Sequence, residues 1–365
     1  MVPPGDVRDM RYPCSLLILS FLAHACAEDT ENVLLVARRA GRIEVIDLDH
    51  LANVGSLTFD RSVERVGTSA DGRKLYIELS TSDGGCCGPS EVDLETRKIS
   101  RLDDRWRYLL ASNGTSTWTR WNNFQDFDTS LIDRKSAVYL GYERLYPSPE
   151  GRWLFGVGNW QESVLDIFDA SARRLVRRFP VPGAKPSQIW PVGAWMEDRF
   201  LLYVQAGSTG TLWEIGPQTP EMGLGTPVAL NPGSCRLGDH ELIAAGGRLF
   251  LFEIFRSTLD RRRFCDAVPG GAYRIEPSTG AVLHHVAPLL HFWGLILSPD
   301  GRVLYGLDVG DPDWQTTARL VKIDAENGSI LGERLLDKDV WHLTLARLRK
   351  SLVPHETVAF VTAPH

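Results

Sequence analysis

Ser298-Pro299-Asp300-Gly301-Arg302, followed by Val303-Leu304-Tyr305, decides the reading of this chain. A tight turn, a basic residue and an apolar run stand in immediate succession. The same order occurs as Ser148-Pro149-Glu150-Gly151-Arg152, then Trp153-Leu154-Phe155, and as Ser69-Ala70-Asp71-Gly72-Arg73, then Leu75-Tyr76-Ile77. Weaker copies fill the gaps at Ala111-Ser112-Asn113-Gly114, Met196-Glu197-Asp198-Arg199 and Ala245-Gly246-Gly247-Arg248. Asp-Gly and Asn-Gly between apolar runs are hairpin signals, because glycine tolerates the positive φ of a tight turn.

Each turn is followed by an alternating strand, an acid or small residue, and a further strand. The copies are Ile43–Asp47, Val92–Glu95, Leu131–Asp133, Leu165–Asp169, Leu212–Gly216, Tyr273–Glu276 and Leu320–Asp324. With Asn32, Gly72, Gly114, Gly151, Asp198, Gly247 and Gly301 as markers, the repeat steps by 37 to 54 residues. Four-stranded propeller blades repeat at about 40–50 residues. Helical periodicity is absent, and no strand–helix alternation points to a parallel sheet. The expectation is an all-β chain: a β-propeller of seven four-stranded blades.

The repeat resembles the YVTN-type seven-bladed β-propeller, related to the heavy chain of quinoprotein amine dehydrogenases. Family blades read Ser-Pro-Asp-Gly, then Leu-Tyr-Val-x-Asn, then Val-x-Val-Ile-Asp-x-x-Thr-Gly. Leu154-Phe155-Gly156-Val157-Gly158-Asn159 and Ile275-Glu276-Pro277-Ser278-Thr279-Gly280 follow that pattern. The resemblance spans roughly residues 31–350, and the third and fifth copies depart from it. It is a signature of fold, with little information on activity.

A ring of blades has to be closed. The chain enters in mid-blade with Val33-Leu34-Leu35-Val36, and Trp341–Ala346 reads as an innermost strand lacking partners. This C-terminal strand is expected to complete the first blade. Val358-Ala359-Phe360-Val361 is apolar enough for a further strand, which the sequence does not place.

Ahead of the repeats, residues 14–23 form a short uncharged apolar run, followed by Ala23-His24-Ala25, Ala25-Cys26-Ala27 and the pair Glu28-Asp29. That run is about half the ~20 residues that cross a bilayer. A short apolar core with a small-x-small exit is the pattern of a secretory signal peptide. The division expected is 1–27 as signal peptide and 28–365 as a single propeller domain. Met10-Arg11 makes a cleaner start than Met1, because Pro3, Pro4 and Asp6 precede the positive charge. The protein is then exported, periplasmic or extracellular. A lipid anchor at Cys26 is the alternative, though the Leu usual at the start of a lipobox is missing. No other segment is apolar for 18 residues, so no membrane span is expected in the mature chain.

Export permits disulfides. Outside the signal the cysteines are Cys86, Cys87, Cys235 and Cys265. Cys235 and Cys265 share one repeat and could pair. The vicinal Cys86-Cys87 lies in a glycine-rich loop and could close a strained ring or stay as two thiols. With 40 Lys and Arg against 46 Asp and Glu, the net charge is −6, and no long basic run exists. Nucleic acid, which needs a positive face, is a poor partner. Apolar residues make up 43%, charged residues 24%, and 11 are Trp, which excludes wholesale disorder.

The motifs of serine hydrolases, zinc proteases, phosphate-binding loops and haem attachment are absent. Asp308, Asp311 and Asp313 lie in a Gly/Pro loop, and residues 122–128 form a weaker acidic cluster. Both lack the twelve-residue calcium-loop pattern. His284 and His285 are adjacent on a strand and face opposite sides, so they do not chelate one ion together. No metal site and no cofactor of the chain's own is expected.

The informative constellation comes from aligning the blades on their turns. Eight residues before each marker, with Arg349 as the closing marker, stand Glu64, Trp106, Glu143, Trp190, Asp239, Trp293 and Trp341. The next position reads Arg65, Arg107, Arg144, Pro191, His240, Gly294 and His342. If innermost strands line a central channel, these form two rings near one mouth. Trp and Arg are enriched at binding hot spots, and such a ring can hold a polar ligand by stacking and charge-assisted hydrogen bonds. The competing reading packs the Trp between blades and pairs the charges as supports. The function expected is a non-enzymatic module that binds a small molecule or a protein partner on one face. The alternative is an enzyme on the same fold. It is either a subunit like the amine dehydrogenase heavy chain, whose family carries its quinone on a separate light chain, or a lactonase-like metal-dependent hydrolase.

Overall fold

The computed structural model describes residues 30–38, 40–69, 72–80, 88–101, 144–148, 152–157, 164–169, 174–181, 191–206, 209–216, 225–228, 240–254, 270–309, 318–336 and 339–360. The first blade opens with β1 (Thr30–Arg38), β2 (Arg42–Asp47) and β3 (Asn53–Phe59). The next contains β4 (Val63–Thr68), β5 (Lys74–Leu79), β6 (Gly88–Asp93) and β7 (Lys98–Arg101). Residues 102–143, where the sequence puts a further blade, lie outside the described residues. Then follow β8 (Arg144–Pro147), β9 (Trp153–Val157), β10 (Val164–Asp169) and β11 (Arg174–Pro180). The next blade has β12 (Val192–Met196), β13 (Arg199–Ala206), β14 (Thr209–Ile215) and β15 (Thr226–Val228). After it come β16 (His240–Ala245), β17 (Arg248–Glu253), β18 (Ala272–Ile275) and β19 (Val282–Val286). The last four-strand group is β20 (Phe292–Leu297), β21 (Val303–Asp308), β22 (Ala318–Asp324) and β23 (Ile330–Leu336). The chain then runs through β24 (Val340–Arg349), a 3-10 turn at Lys350–Leu352 and β25 (Thr357–Phe360).

Among the described residues this makes six sheets. Five are antiparallel four-strand meanders; the first blade has the order β24-β1-β2-β3-β25. The predicted closure is present: β24 pairs antiparallel with β1, Val33 opposite Ala346 and Val36 opposite Leu343. The unplaced C-terminal segment is now placed. β25 lies parallel to β3, Thr357 opposite Ser56 and Phe360 opposite Phe59, so this blade has five strands and not four. Asn32, used above as a turn marker, lies inside β1. This blade is assembled from both parts of the chain, so it has no hairpin where the others have one.

The turn residues each have a local task. Ser69, Ser148 and Ser298 accept, through Oγ, the N–H of Lys74, Trp153 and Val303 at 3.0, 2.9 and 2.9 Å. Gly72 and Gly301 follow three residues after the serine with φ of +66° and +73°, which a side chain rarely adopts. The acids that end the third strands are turn caps. Asp47 accepts N–H bonds from Asp49, His50 and Ala52, Asp93 from Thr96, and Asp324 from Glu326 and Asn327. Two-residue periodicity then decides the packing. Val33, Leu35 and Ala37 of β1 face the β4–β7 blade, while Leu34 and Val36 face the β20–β23 blade. Both faces of a blade are buried, which is why the strand reads as an unbroken apolar run.

Candidate functional site

The innermost strands are β24, β4, β8, β12, β16 and β20, the first strand of each sheet by position. β24 touches β4, β20 touches β24, β16 touches β20, β12 touches β16, and β8 touches β12. The described inner strands therefore form a continuous arc from β8 round to β4, with residues 102–143 between β4 and β8 in the chain. The residues picked out by the alignment fall at the start of these strands. Arg144 and His240 are the first residues of β8 and β16, Glu64 and Arg65 stand second and third in β4, Trp293 second in β20, and Trp341 and His342 second and third in β24. Trp106, Arg107, Glu143, Trp190 and Asp239 lie outside the described residues, as do Cys86, Cys87, Cys235 and Cys265.

Three of the aligned positions share one backbone feature. In β4, Val63 lies opposite Leu79 and Arg65 opposite Glu78, which leaves Glu64 as an extra residue. In β20, Phe292 lies opposite Asp308 and Gly294 opposite Leu307, leaving Trp293 extra. In β24, Val340 lies opposite Arg38 and His342 opposite Ala37, leaving Trp341 extra. Glu64, Trp293 and Trp341 are thus equivalent β-bulge residues on three neighbouring inner strands. A bulge bends its strand and re-aims a side chain, and such features concentrate at barrel rims and beside active sites. At the starts of β8 and β16 Arg144 lies opposite Val157 and His240 opposite Glu253, and the positions that match the three bulges, Glu143 and Asp239, lie outside the described residues.

The side chains described here divide between the two readings. His240 is buried, 6% exposed, with its ring 6.0 Å from that of Tyr203 on the neighbouring blade. It belongs to the packing between blades. Trp293 is half-buried against the apolar cluster that joins the β20–β23 blade to the first blade, and His342 is half-buried on β24.

The sequence reading missed the acids that approach this end from the second strands. Glu78, Glu253 and Asp308 end β5, β17 and β21, or lie one residue short of the end, opposite the starts of the inner strands. Glu78 and Asp308 are each 1% exposed. Asp308 accepts the His291 N–H at 2.8 Å and pairs with Arg319 Nε at 2.7 Å, and that bond raises the Arg319 pKa. One member of the predicted acidic loop is therefore a buried support; Asp311 and Asp313 lie outside the described residues. An acid six or seven residues after Gly72, Gly247 and Gly301 was the available signal. His284 and His285 do point apart: His284 Nε2 meets the Asn327 carbonyl, and His285 Nε2 meets that of Gly270 while its ring stacks on Tyr273. Among the described residues no group of three His, Cys, Asp or Glu could hold a metal ion.

Burial raises the Tyr203 and Tyr273 pKa values, with Glu253 adding to the second, and pushes Tyr305 up to about 12. These phenols stay neutral and act as packing.

Comparison of the sequence with protein families and with curated proteins finds no match. Solved structures do match. A prolyl endopeptidase superposes with a TM-score of 0.53 at 14% identity, over 86% of this chain and 50% of that one. Dihydro-heme d1 dehydrogenase NirN, in complex with DHE, gives 0.50 at 12% identity, over 88% of this chain and 76% of that one. Both are β-propellers. The chain is a β-propeller. At these identities the likeness concerns the fold alone. β20, β24 and β4 are neighbours, so their bulged starts stand side by side at one end of the inner strands. No helix among the described residues of this propeller is long and apolar enough to cross a membrane.

Proposed function

We propose that this propeller is an exported binding module of the YVTN type, with its ligand or partner held at the channel mouth and no cofactor of its own. The observation that carries the reading is the repeated bulge at Glu64, Trp293 and Trp341 on contiguous inner strands. A bulge costs ladder hydrogen bonds, and three at one ring position are expected where side chains are aimed at something other than the neighbouring strand. Trp supplies stacking area at low entropy cost, and Arg65 and Arg144 on other blades supply positive charge for an anionic group. A small anionic ligand fits this set best. Export rests on the apolar run 14–23 and the small residues after it.

The test is a melting-temperature screen of anionic small molecules, since a ligand of the native state stabilises it by mass action. For a ligand so found, Trp341→Ala and Arg65→Ala each weaken binding by about 1–3 kcal/mol, as at aromatic and Arg hot spots. Unchanged affinity in both variants rejects the channel-mouth site. N-terminal sequencing of secreted protein should start between Ala25 and Glu28; a mature chain beginning at Met1 or Met10 rejects export.

A further inference from the structure

The outermost strands carry a second repeated bulge. In the first blade Val45 lies opposite Gly55 and Ile46 opposite Asn53, which leaves Val54 extra on β3. The same offset leaves Val176 extra on β11, Leu283 on β19 and Leu331 on β23. The bulged residue is aliphatic in all four blades. In the first blade Val54 joins the same apolar cluster as Leu352, Val353 and Val358 of the C-terminal segment. That segment passes close over Gly55, where a Cβ would stand 1.9 Å from the Pro354 carbonyl oxygen, and then adds β25 to the edge of β3. A strand-interior glycine often marks the close approach of another backbone.

Among the described residues β23 repeats this arrangement without the cover. Leu331 and Gly332 occupy the ladder positions of Val54 and Gly55. A Cβ at Gly332 would find, among the described residues, only Leu51 Cδ1 within 4 Å, at 3.9 Å. Among the described residues β23 pairs only with β22. Ile330, Leu331 and Leu335 are 49%, 53% and 73% exposed, on a strand whose charges are already engaged. Glu333 pairs with Arg319, and Arg334 reaches the Leu51 carbonyl and Glu44. β11 and β19 also expose aliphatic bulges, but Arg177 and His284 stand where β23 has glycine.

We infer that the outer edge of β23 is a strand-addition site, which takes an extended aliphatic segment of a partner protein in the parallel manner that β3 takes β25. Main-chain hydrogen bonds to an open edge supply affinity, and alternate side chains supply selectivity. The segment crosses above Gly332, then pairs along Glu333–Leu336 with its apolar side chains against Leu331 and Leu335.

The probe is a fluorescent synthetic peptide with the sequence of residues 353–361, which is the kind of segment that the equivalent edge accepts. It is titrated into the full chain by anisotropy, beside Gly332→Val and Leu331→Asp, with melting temperatures recorded for each. The expected result is saturable binding to the native protein, weakened at least tenfold in both variants at unchanged melting temperature. If Leu331→Asp lowers the melting temperature, Gly332→Val decides, since open space surrounds that position. Absence of binding, or binding untouched by Gly332→Val, overturns the proposal. So does a dimer in sedimentation that Leu331→Asp dissolves, which would give the edge to a second copy of the chain.

Discussion

Val33 lies opposite Ala346 in an antiparallel ladder, so the first and last long strands of the chain complete each other. Arg347 Nε adds a 2.7 Å bond to Thr30 Oγ1 at the end of that ladder. Removal of residues 341–365 strips the inner strand from the first blade and exposes Leu34 and Val36, both fully buried. The expected outcome is loss of the cooperative thermal transition, because backbone donors and apolar faces are uncovered together. A truncated protein with an unchanged melting curve would reject this closure.

Gly301 and Gly332 should respond oppositely to alanine. Gly301 has φ +73°, and a Cβ would lie 2.5 Å from the Ala245 carbonyl oxygen of the neighbouring blade. Gly301→Ala should cost about 2 kcal/mol or more, from backbone strain and a contact that only backbone movement relieves. Gly332→Ala should change stability by less than about 1 kcal/mol, since the position is open and its φ is ordinary. Urea midpoints of the two variants give the comparison.

Asp166 is fully buried and receives both Arg178 Nε and Nη2 at 2.7 Å. Arg178→Met should therefore destabilise by roughly 2 kcal/mol. Breaking a fully buried pair costs about 3–5 kcal/mol, and solvent reaches a third of the Arg178 side chain. Adding Asp166→Asn to that variant should recover part of the loss, because no uncompensated charge remains. A double variant less stable than the single one contradicts this account.

Turn acids make stability depend on pH in one direction. The Ser298 hydroxyl and the Arg302 N–H hold Asp300 below the usual carboxylate range. The Thr96 N–H does the same for Asp93. Burial opposes the shift at Asp47, but the N–H groups of His50, Ala52 and Asp49 outweigh it. A carboxylate whose pKa is depressed by folding adds stability above its unfolded value, about 3.9, and loses it as pH falls through the folded value. Stability should thus fall on acidification below about pH 4. The triple Asn variant at Asp47, Asp93 and Asp300 should lose less than the native protein between pH 6 and pH 3. Equal losses would remove these turns as the cause.

The part of the fold that was legible in the sequence is the part built from local bonds. Ser298, Asp300 and Gly301 each serve a turn closed within five residues, so spacing alone reveals it. Closure was legible because Trp341–Ala346 reads as a strand with nothing beside it in sequence. The parallel addition of β25 to β3 was not, since it joins distant segments and leaves no periodic mark. The bulges were silent as bulges: the turn alignment puts Glu64, Trp293 and Trp341 at one position, but only the register of the opposite strand shows each to be an extra residue. The alignment gives the position of His240 along its strand, while its contact with Tyr203 depends on the neighbouring blade and leaves no mark in one dimension.

The ladder between β1 and β24 also sets an order of events during synthesis. Val33-Leu34-Leu35-Val36 leaves the ribosome ahead of the other propeller strands, and its inner edge waits for all the later blades before Leu343–Ala346 arrives. Until then that edge is an apolar template for mispairing, of the kind that nascent chains depend on holdases to mask. The β12–β15 and β16–β19 blades close from consecutive hairpins and can form while translation continues. The first blade to be made is then the last to be finished.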